Sequence, residues 1–288
     1  MTTTQLSELQ VRPVPELKLS GERTAAGSAG ALVRNLGHRL LPWLVPVSLI
    51  ALWQIASSLG WLSTRILPAP LEVLKAAVGL AESGELWTHV KVSAGRALAG
   101  LAIGGTLGLL LGLLTGSFRA METLLDSSIQ MVRNIPALAL IPLVILWFGI
   151  DETAKLFLIS VSVFFPIYLN TFHGIRNVDP GLIEMGRTYG LTRSQLYTQV
   201  ILPGALSSIL VGLRFSLGLM WVILIVAETI SAQAGIGYLT MNAREFLQTD
   251  VVLVGILLYA LLGKLADTFA RGLERYWLRW HPGYQGAR

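Results

Sequence analysis

Long apolar runs alternate with short polar stretches along almost the whole chain. Residues 40–62 carry no charge, and further runs fill 94–115, 128–150, 154–173, 207–230 and 251–269. About 20 apolar residues are enough for a helix to cross roughly 30 Å of hydrocarbon. The pattern therefore predicts an all-α membrane protein with about six transmembrane helices over residues 40–270. Pro136 and Pro142 predict a kink in the third run, and Pro166 in the fourth, because proline removes a ladder hydrogen bond. Trp43 and Trp61 suit the interfaces at the ends of the first run. Between the first two runs, Pro68-Ala69-Pro70 reads as a turn and 71–80 as an amphipathic surface helix. Residues 231–249 are small and polar and read as a short helix outside the membrane. Residues 1–39 are rich in Thr, Ser, Gly, Pro and Arg without apolar periodicity, which predicts a flexible tail. Residues 271–288 form a second, basic and aromatic tail.

Composition agrees. The 288 residues are 53% hydrophobic and 14% charged, with mean hydropathy +0.63, whereas a soluble domain carries about 25% charged residues. The net charge of +5 reads first as topology, and nucleic-acid binding is a poor second. With the N-terminus inside, one side collects Arg12, Lys18, Arg23, Arg34, Arg39, Arg119, Arg176, Arg187, Arg193, Arg271, Arg275, Arg279 and Arg288. The other collects Arg65, Lys75, Lys91, Lys155 and Arg244, fewer than half as many. The positive-inside bias thus predicts both termini, and the polar stretch between the fourth and fifth runs, on the cytoplasmic side.

That stretch, 179–203, reads as two short helices. Asp179 is an N-cap before Pro180, Gly190 suits a left-handed C-terminal turn, and Thr192 with Gln195 makes a capping box. Pro203 is expected to end the second helix. The alternatives are a DNA-reading helix–turn–helix, which is not normally set between spans, and an ordinary amphipathic connector. Glu184-Met185-Gly186, then Gly190, then Val200, Leu202 and Pro203 resemble the EAA loop of ABC importer permeases. Met185 and Gly186 stand where that pattern has two alanines, and Val200 where it has isoleucine. Asn134-Ile135-Pro136, Leu140-Ile141-Pro142 and Leu146-Trp147-Phe148-Gly149 resemble the third core helix of nitrate, taurine and aliphatic-sulfonate permeases. Gly235-Ile236-Gly237-Tyr238 resembles the importer family too. The resemblance, greatest to aliphatic-sulfonate permeases, implies a type I importer permease with a cytoplasmic coupling loop at 175–206. It implies a homodimer, cytoplasmic ABC ATPase subunits docked on that loop, and a periplasmic solute-binding protein. It implies no cofactor in this chain, since the ATPase partner binds ATP and Mg. Glu184 would orient the loop by charge and hydrogen bonds, and Gly190 would allow its sharp turn.

Two further features carry candidate roles. Gly100, Gly104, Gly108, Gly112 and Gly116 recur every fourth residue, one helical stripe that admits close helix contact in lipid. The contact belongs to the translocation core, to a dimer interface or to packing within the chain. Arg133 and Arg214 are costly inside spans. Arg214 lies roughly 10–12 Å below the start of its run at the helical rise. Each either faces an aqueous pathway and favours an anion, or snorkels or pairs with a carboxylate. Glu228, near the far end of the fifth run, is expected to have a structural partner, and Lys264 and Asp267 are one turn apart and suited to pair.

Catalytic and nucleotide signatures do not occur. Gly263-Lys264 is followed by Leu265, not by Ser or Thr. His38, His89, His173 and His281 lack metal-ligand spacing, and no metal is expected. Uphill movement would need energy from another subunit or an ion gradient. A secondary transporter would show internal repeats and paired intramembrane acids. An intramembrane enzyme would need a catalytic constellation.

Overall fold

The computed structural model describes residues 26–280, and their side chains apart from those of 26–40, 42 and 231. The expected tail lies outside the described residues as far as position 25, and so do 281–288 with His281 and Arg288. Two compact units are present, Met1–Trp53 and Gln54–Arg288.

Helix α1 runs Ala26–Ser58. It starts inside the segment expected as tail. Its described apolar part, Trp43–Ser58, is shorter than a membrane-crossing helix. The first of the six expected spans is therefore not among the crossing-length helices of the described residues. Four others are long and apolar enough: α3 (Glu85–Ser117), α6 (Glu152–Arg176), α9 (Leu202–Ser231, with the turns before it) and α11 (Thr249–Trp277). A fifth arises if a broken pair counts as one span.

That pair is the third expected run, and its break is sharper than a kink. Helix α4 (Arg119–Arg133) meets a 3₁₀ turn (Ala137–Leu140) and α5 (Ile141–Phe148) at 81°. The break falls at Asn134-Ile135-Pro136, where proline pushes the residue before it out of the helical region. Pro142 does not kink a helix. It stands in the first turn of α5, where its missing N–H has no ladder partner. The polar stretch between the second and third runs is also helical, since α4 begins at Arg119.

Helix α2 (Pro70–Glu82) is tied down rather than lying free on a surface. Its Val73 is buried with Leu86 of α3 and Val254 of α11. Helix α3 packs most extensively on α6, and α6 on α9. The glycine stripe lies in the first of these contacts. A Cβ at Gly100 would overlap Ile159, at Gly104 the Ser160 carbonyl, at Gly108 the Phe164 carbonyl at 2.6 Å, and at Gly112 Thr171 at 2.7 Å. Of the roles left open by the sequence, this geometry is close packing within one chain. The core around it holds Ile159, Val163, Leu217, Met220 and Leu224, while Leu98, Leu107, Leu110, Leu257 and Leu261 face outward. An apolar exterior of this kind needs lipid, not water, around it.

Candidate functional site

Three places concentrate polar chemistry. The first is the connection between α6 and α9. Helix α7 (Pro180–Thr188) starts at Asp179, whose carboxylate accepts the Gly181 N–H at 2.8 Å. Gly190 stands at φ +79°, and the Leu191 N–H returns to the Gly186 carbonyl at 3.1 Å. This is the glycine-terminated helix end that the sequence predicts. The short helix α8 (Arg193–Leu196) follows, with the Thr192–Gln195 capping box formed in both directions. Pro203 departs from expectation. Helix continues from α8 through a π turn (Tyr197–Ile201) into α9, and Pro203 is the second residue of α9. In that wide turn the Leu202 N–H reaches back five residues to the Tyr197 carbonyl, and Pro203 follows in the first turn of α9.

The connection is anchored from below. Ile183 and Ile201 pack on Ile175, Val178 and Ala205, so the loop rests on the ends of α6 and α9. Gly186 is buried, and a Cβ there would stand 2.7 Å from the end of Leu196. That flexible end can yield to an alanine. Outward, Leu182, Met185 and Tyr189 lie exposed at helical spacing, Tyr189 at 81%. Glu184 is exposed as well. Among the described residues its carboxylate makes no hydrogen bond or ion pair. Leu202 and Pro203 are half-buried where the loop enters α9.

The second place is at the opposite end of α3, and the sequence pointed to a partner only for its acid. Glu228 on α9 is 1% exposed. Ser93 of α3 donates to both carboxylate oxygens at 2.8 Å, and Arg96 Nη1 stands 2.8 Å from Oε1. The Gly237 N–H donates at 2.9 Å and the Tyr259 hydroxyl of α11 at 3.1 Å. The Ile236 N–H donates to Ser93 at 2.8 Å. Glu228 thus sits at the N-terminus of α10 (Ile236–Glu245), where free N–H groups and the helix dipole favour an anion. Gly235 (φ +120°) and Gly237 give the backbone this approach, for a Cβ on either would lie 2.5 Å from Glu228 atoms. Arg96 also grips Glu152 at the start of α6, Nε and Nη2 at 2.6 and 2.5 Å. Lys155 stands 3.4 Å from the same carboxylate. The expected structural partner of Glu228 is therefore a network joining α3, α6, α9, α10 and α11. The sequence shows Arg96 as a cation in an apolar run but not its pairing, because nothing in a lone helix shows which face meets an acid 132 residues away.

The third place holds the two arginines, and the fold separates them. Arg214 Nε donates to Asp267 at 2.8 Å, and Nη1 lies 3.8 Å from Glu274. Asp267 is shared with Arg271 at 2.9 Å rather than bonded to Lys264. This is the carboxylate-pairing alternative for Arg214. Arg133, at the end of α4, lines a cavity of about 470 Å³ between the broken pair, α6 and α9.

Residues 104–278 match the binding-protein-dependent transport system inner membrane component family. The chain is 66% identical over 246 residues to a protein of Escherichia coli K12 named aliphatic sulfonates transport permease SsuC, covering 85% of this chain and 94% of that one. Its namesake in Bacillus subtilis 168 is 44% identical over 91% of this chain and 98% of that one. The E. coli taurine transport system permease TauC is 35% identical over 87% and 98%. Among solved structures, an amino acid ABC transporter crystallised with histidines shares the fold at TM-score 0.50 and 20% identity, over 68% of this chain and 97% of that one. An all-helical bundle, a capped loop between α6 and α9, and a family match spanning both come to one conclusion: the chain belongs to the inner membrane components of binding-protein-dependent transport systems.

Proposed function

We propose that the chain is the permease of an importer for aliphatic sulfonates. It works as a homodimer with cytoplasmic ABC ATPase subunits and a periplasmic binding protein, both termini facing the cytoplasm. The observation that carries the substrate is the 66% identity with a permease named for aliphatic sulfonates, against 35% with one named for taurine. The side follows from the positive-inside bias, which puts α7 and α8 in the cytoplasm.

In this reading the chain hydrolyses nothing. ATP and Mg belong to the ATPase subunits. The exposed Leu182, Met185 and Tyr189 dock against an ATPase. The anchored side of the loop passes its displacement into α6 and α9 through Ile175, Val178 and Ala205. A packed contact is bistable rather than soft, so a small shift of the loop becomes a rocking of helices between inward-open and outward-open states. Glu184, Met185, Gly186, Gly190, Leu202 and Pro203 form the coupling element, and Gly100, Gly104, Gly108 and Gly112 hold α3 to α6 as one moving body.

The test is uptake of labelled hexane-1-sulfonate by cells with and without the gene, in a background lacking other sulfonate systems. Taurine, nitrate and sulfate serve as competitors. Loss on deletion, competed by alkanesulfonates alone, is the expected result. Uptake unchanged by deletion would overturn the substrate.

A further inference from the structure

We propose that the cavity beside Arg133 is an intramembrane binding site for an organic monoanion with an apolar tail, built to take an alkanesulfonate and to disfavour a zwitterion. The proposal rests on the permease reading above and deepens it. The cavity is an open cleft of about 470 Å³, within the roughly 300–1,000 Å³ of small-molecule sites. It lies at mid-depth of the bundle. Its lining residue Ser162 is about 15 Å along α6 from one end, and Asn170 about 9 Å from the other, at the helical rise.

Arg133 is the cation of this cavity. Arg96, Arg176, Arg214 and Arg271 each have an acid within ion-pair distance. Among the described residues Arg133 has none. The Arg133 side chain is exposed on the cavity wall rather than packed among other groups, so its guanidinium is open to an incoming anion. Its planar fork of N–H donors matches the oxygens of a sulfonate in a bidentate way. The opposite walls are apolar: Phe165 and Leu169 from α6, and Phe215, Leu219 and Ile223 from α9.

The remaining polar groups sharpen the selectivity. Ser162 donates its hydroxyl to the Leu158 carbonyl at 2.8 Å, and Asn170 its amide to the Pro166 carbonyl at 2.8 Å. Ser162 has thereby used its one donor within α6 and offers the cavity lone pairs, whereas the Asn170 amide keeps a second N–H beside its carbonyl oxygen. Among the lining residues the only full positive charge for an anionic head is therefore at the Arg133 end, with the second Asn170 N–H a weaker, uncharged donor. The lining has no Asp or Glu, so an ammonium would enter without a carboxylate partner, and a taurine-like zwitterion is disfavoured. Each methylene buried on the walls strengthens binding about fourfold, which is the transfer free energy of about 0.8 kcal/mol per CH₂.

The experiment is equilibrium binding of radiolabelled hexane-1-sulfonate to the purified full-length chain in lipid nanodiscs. Methane-, butane- and octanesulfonate and taurine are the competitors. Arg133→Gln is expected to weaken binding tenfold or more, and Arg133→Lys, which keeps the charge but not the bidentate fork, to weaken it by less than Arg133→Gln. Leu219→Trp, which fills the tail end, is expected to weaken hexanesulfonate tenfold while changing methanesulfonate less than twofold. Taurine is expected to compete at least tenfold more weakly than butanesulfonate. Wild-type affinity in Arg133→Gln would overturn the site. So would Leu219→Trp weakening every chain length equally, or shifting the oligomer mass with an unchanged chain-length profile, which would assign the face to a second copy of the chain. Uptake by cells separates the two readings. Wild-type cells that import hexanesulfonate alongside Arg133→Gln cells that import it equally well would sink the site alone. Wild-type cells that import none would sink the permease substrate, and the site with it.

Discussion

Arg96 Nη1 stands 2.8 Å from Glu228 Oε1, both side chains almost fully buried, while the other arm of the same guanidinium holds the half-exposed Glu152. One arginine thus ties an acid wholly inside the bundle to an acid at its edge. Removing Arg96 leaves Glu228 a buried charge without its cation, at a cost of about 3–5 kcal/mol, whereas removing Glu228 leaves Arg96 still held by Glu152 and costs less. Arg96→Gln is expected to lower the detergent melting temperature by many degrees, and Glu228→Gln by fewer. The double variant should lose less than the sum of the two. A double-mutant cycle with additive losses would show that the pair is not coupled.

The glycine stripe gives a contrast within one helix. A Cβ at Gly104 meets the backbone carbonyl of Ser160, which has no rotamer to yield, whereas at Gly95 it meets nothing within 4 Å. Overpacking of a tight contact costs about 1–3 kcal/mol. Gly104→Ala is therefore expected to destabilise the chain by that order, and Gly95→Ala to leave it unchanged or slightly stabilised. Thermal unfolding of both in the same detergent decides. Equal melting temperatures would mean that α3 and α6 do not touch at the stripe.

The outward face of α7 makes a prediction about a partner. Leu182, Met185 and Tyr189 share one side and are left exposed by the described residues. Met185→Asp with Tyr189→Asp should leave the melting temperature within about a degree, since both positions are exposed. It should abolish co-purification of the ATPase subunit and uptake together. Retained co-purification would move the docking surface elsewhere.

The sequence made these elements legible to different degrees. Helix ends with local signals were plain, because Asp179, Gly190, Thr192 and Gln195 act on their own turns. The apolar runs were plain too, since length and charge suffice. What the sequence withheld was anything decided by a neighbour. Pro203 looked like a stop because the π turn before it has no sequence signature of its own. The break at Asn134-Ile135-Pro136 looked like a kink because the proline marks its place and not its 81° angle. Arg133 and Arg214 looked alike, each a lone cation in an apolar run. Only the packing of α11 against α9 supplies Asp267 to one and leaves the other facing a cavity.

Gly190 lends itself to a graded test. Its φ of +79° is left-handed, and a side chain there would meet nothing within 4 Å, so the cost of substitution is purely in the backbone. Asparagine visits this region readily, alanine at about 1–2 kcal/mol, and proline not at all, since its ring fixes φ near −65°. Proline would also delete the Gly190 N–H bond to the Arg187 carbonyl at 2.9 Å. The expected order of uptake is therefore wild type and Gly190→Asn near equal, Gly190→Ala reduced, and Gly190→Pro abolished. Membrane abundance should stay constant in all four, because the loop lies outside the spans and insertion does not depend on its turn. Quantitative immunoblots of membranes beside uptake rates check both halves. Normal uptake by Gly190→Pro would remove the turn from the coupling path. Absent protein in that variant, with Gly190→Ala also depleted, would make the turn a folding element instead.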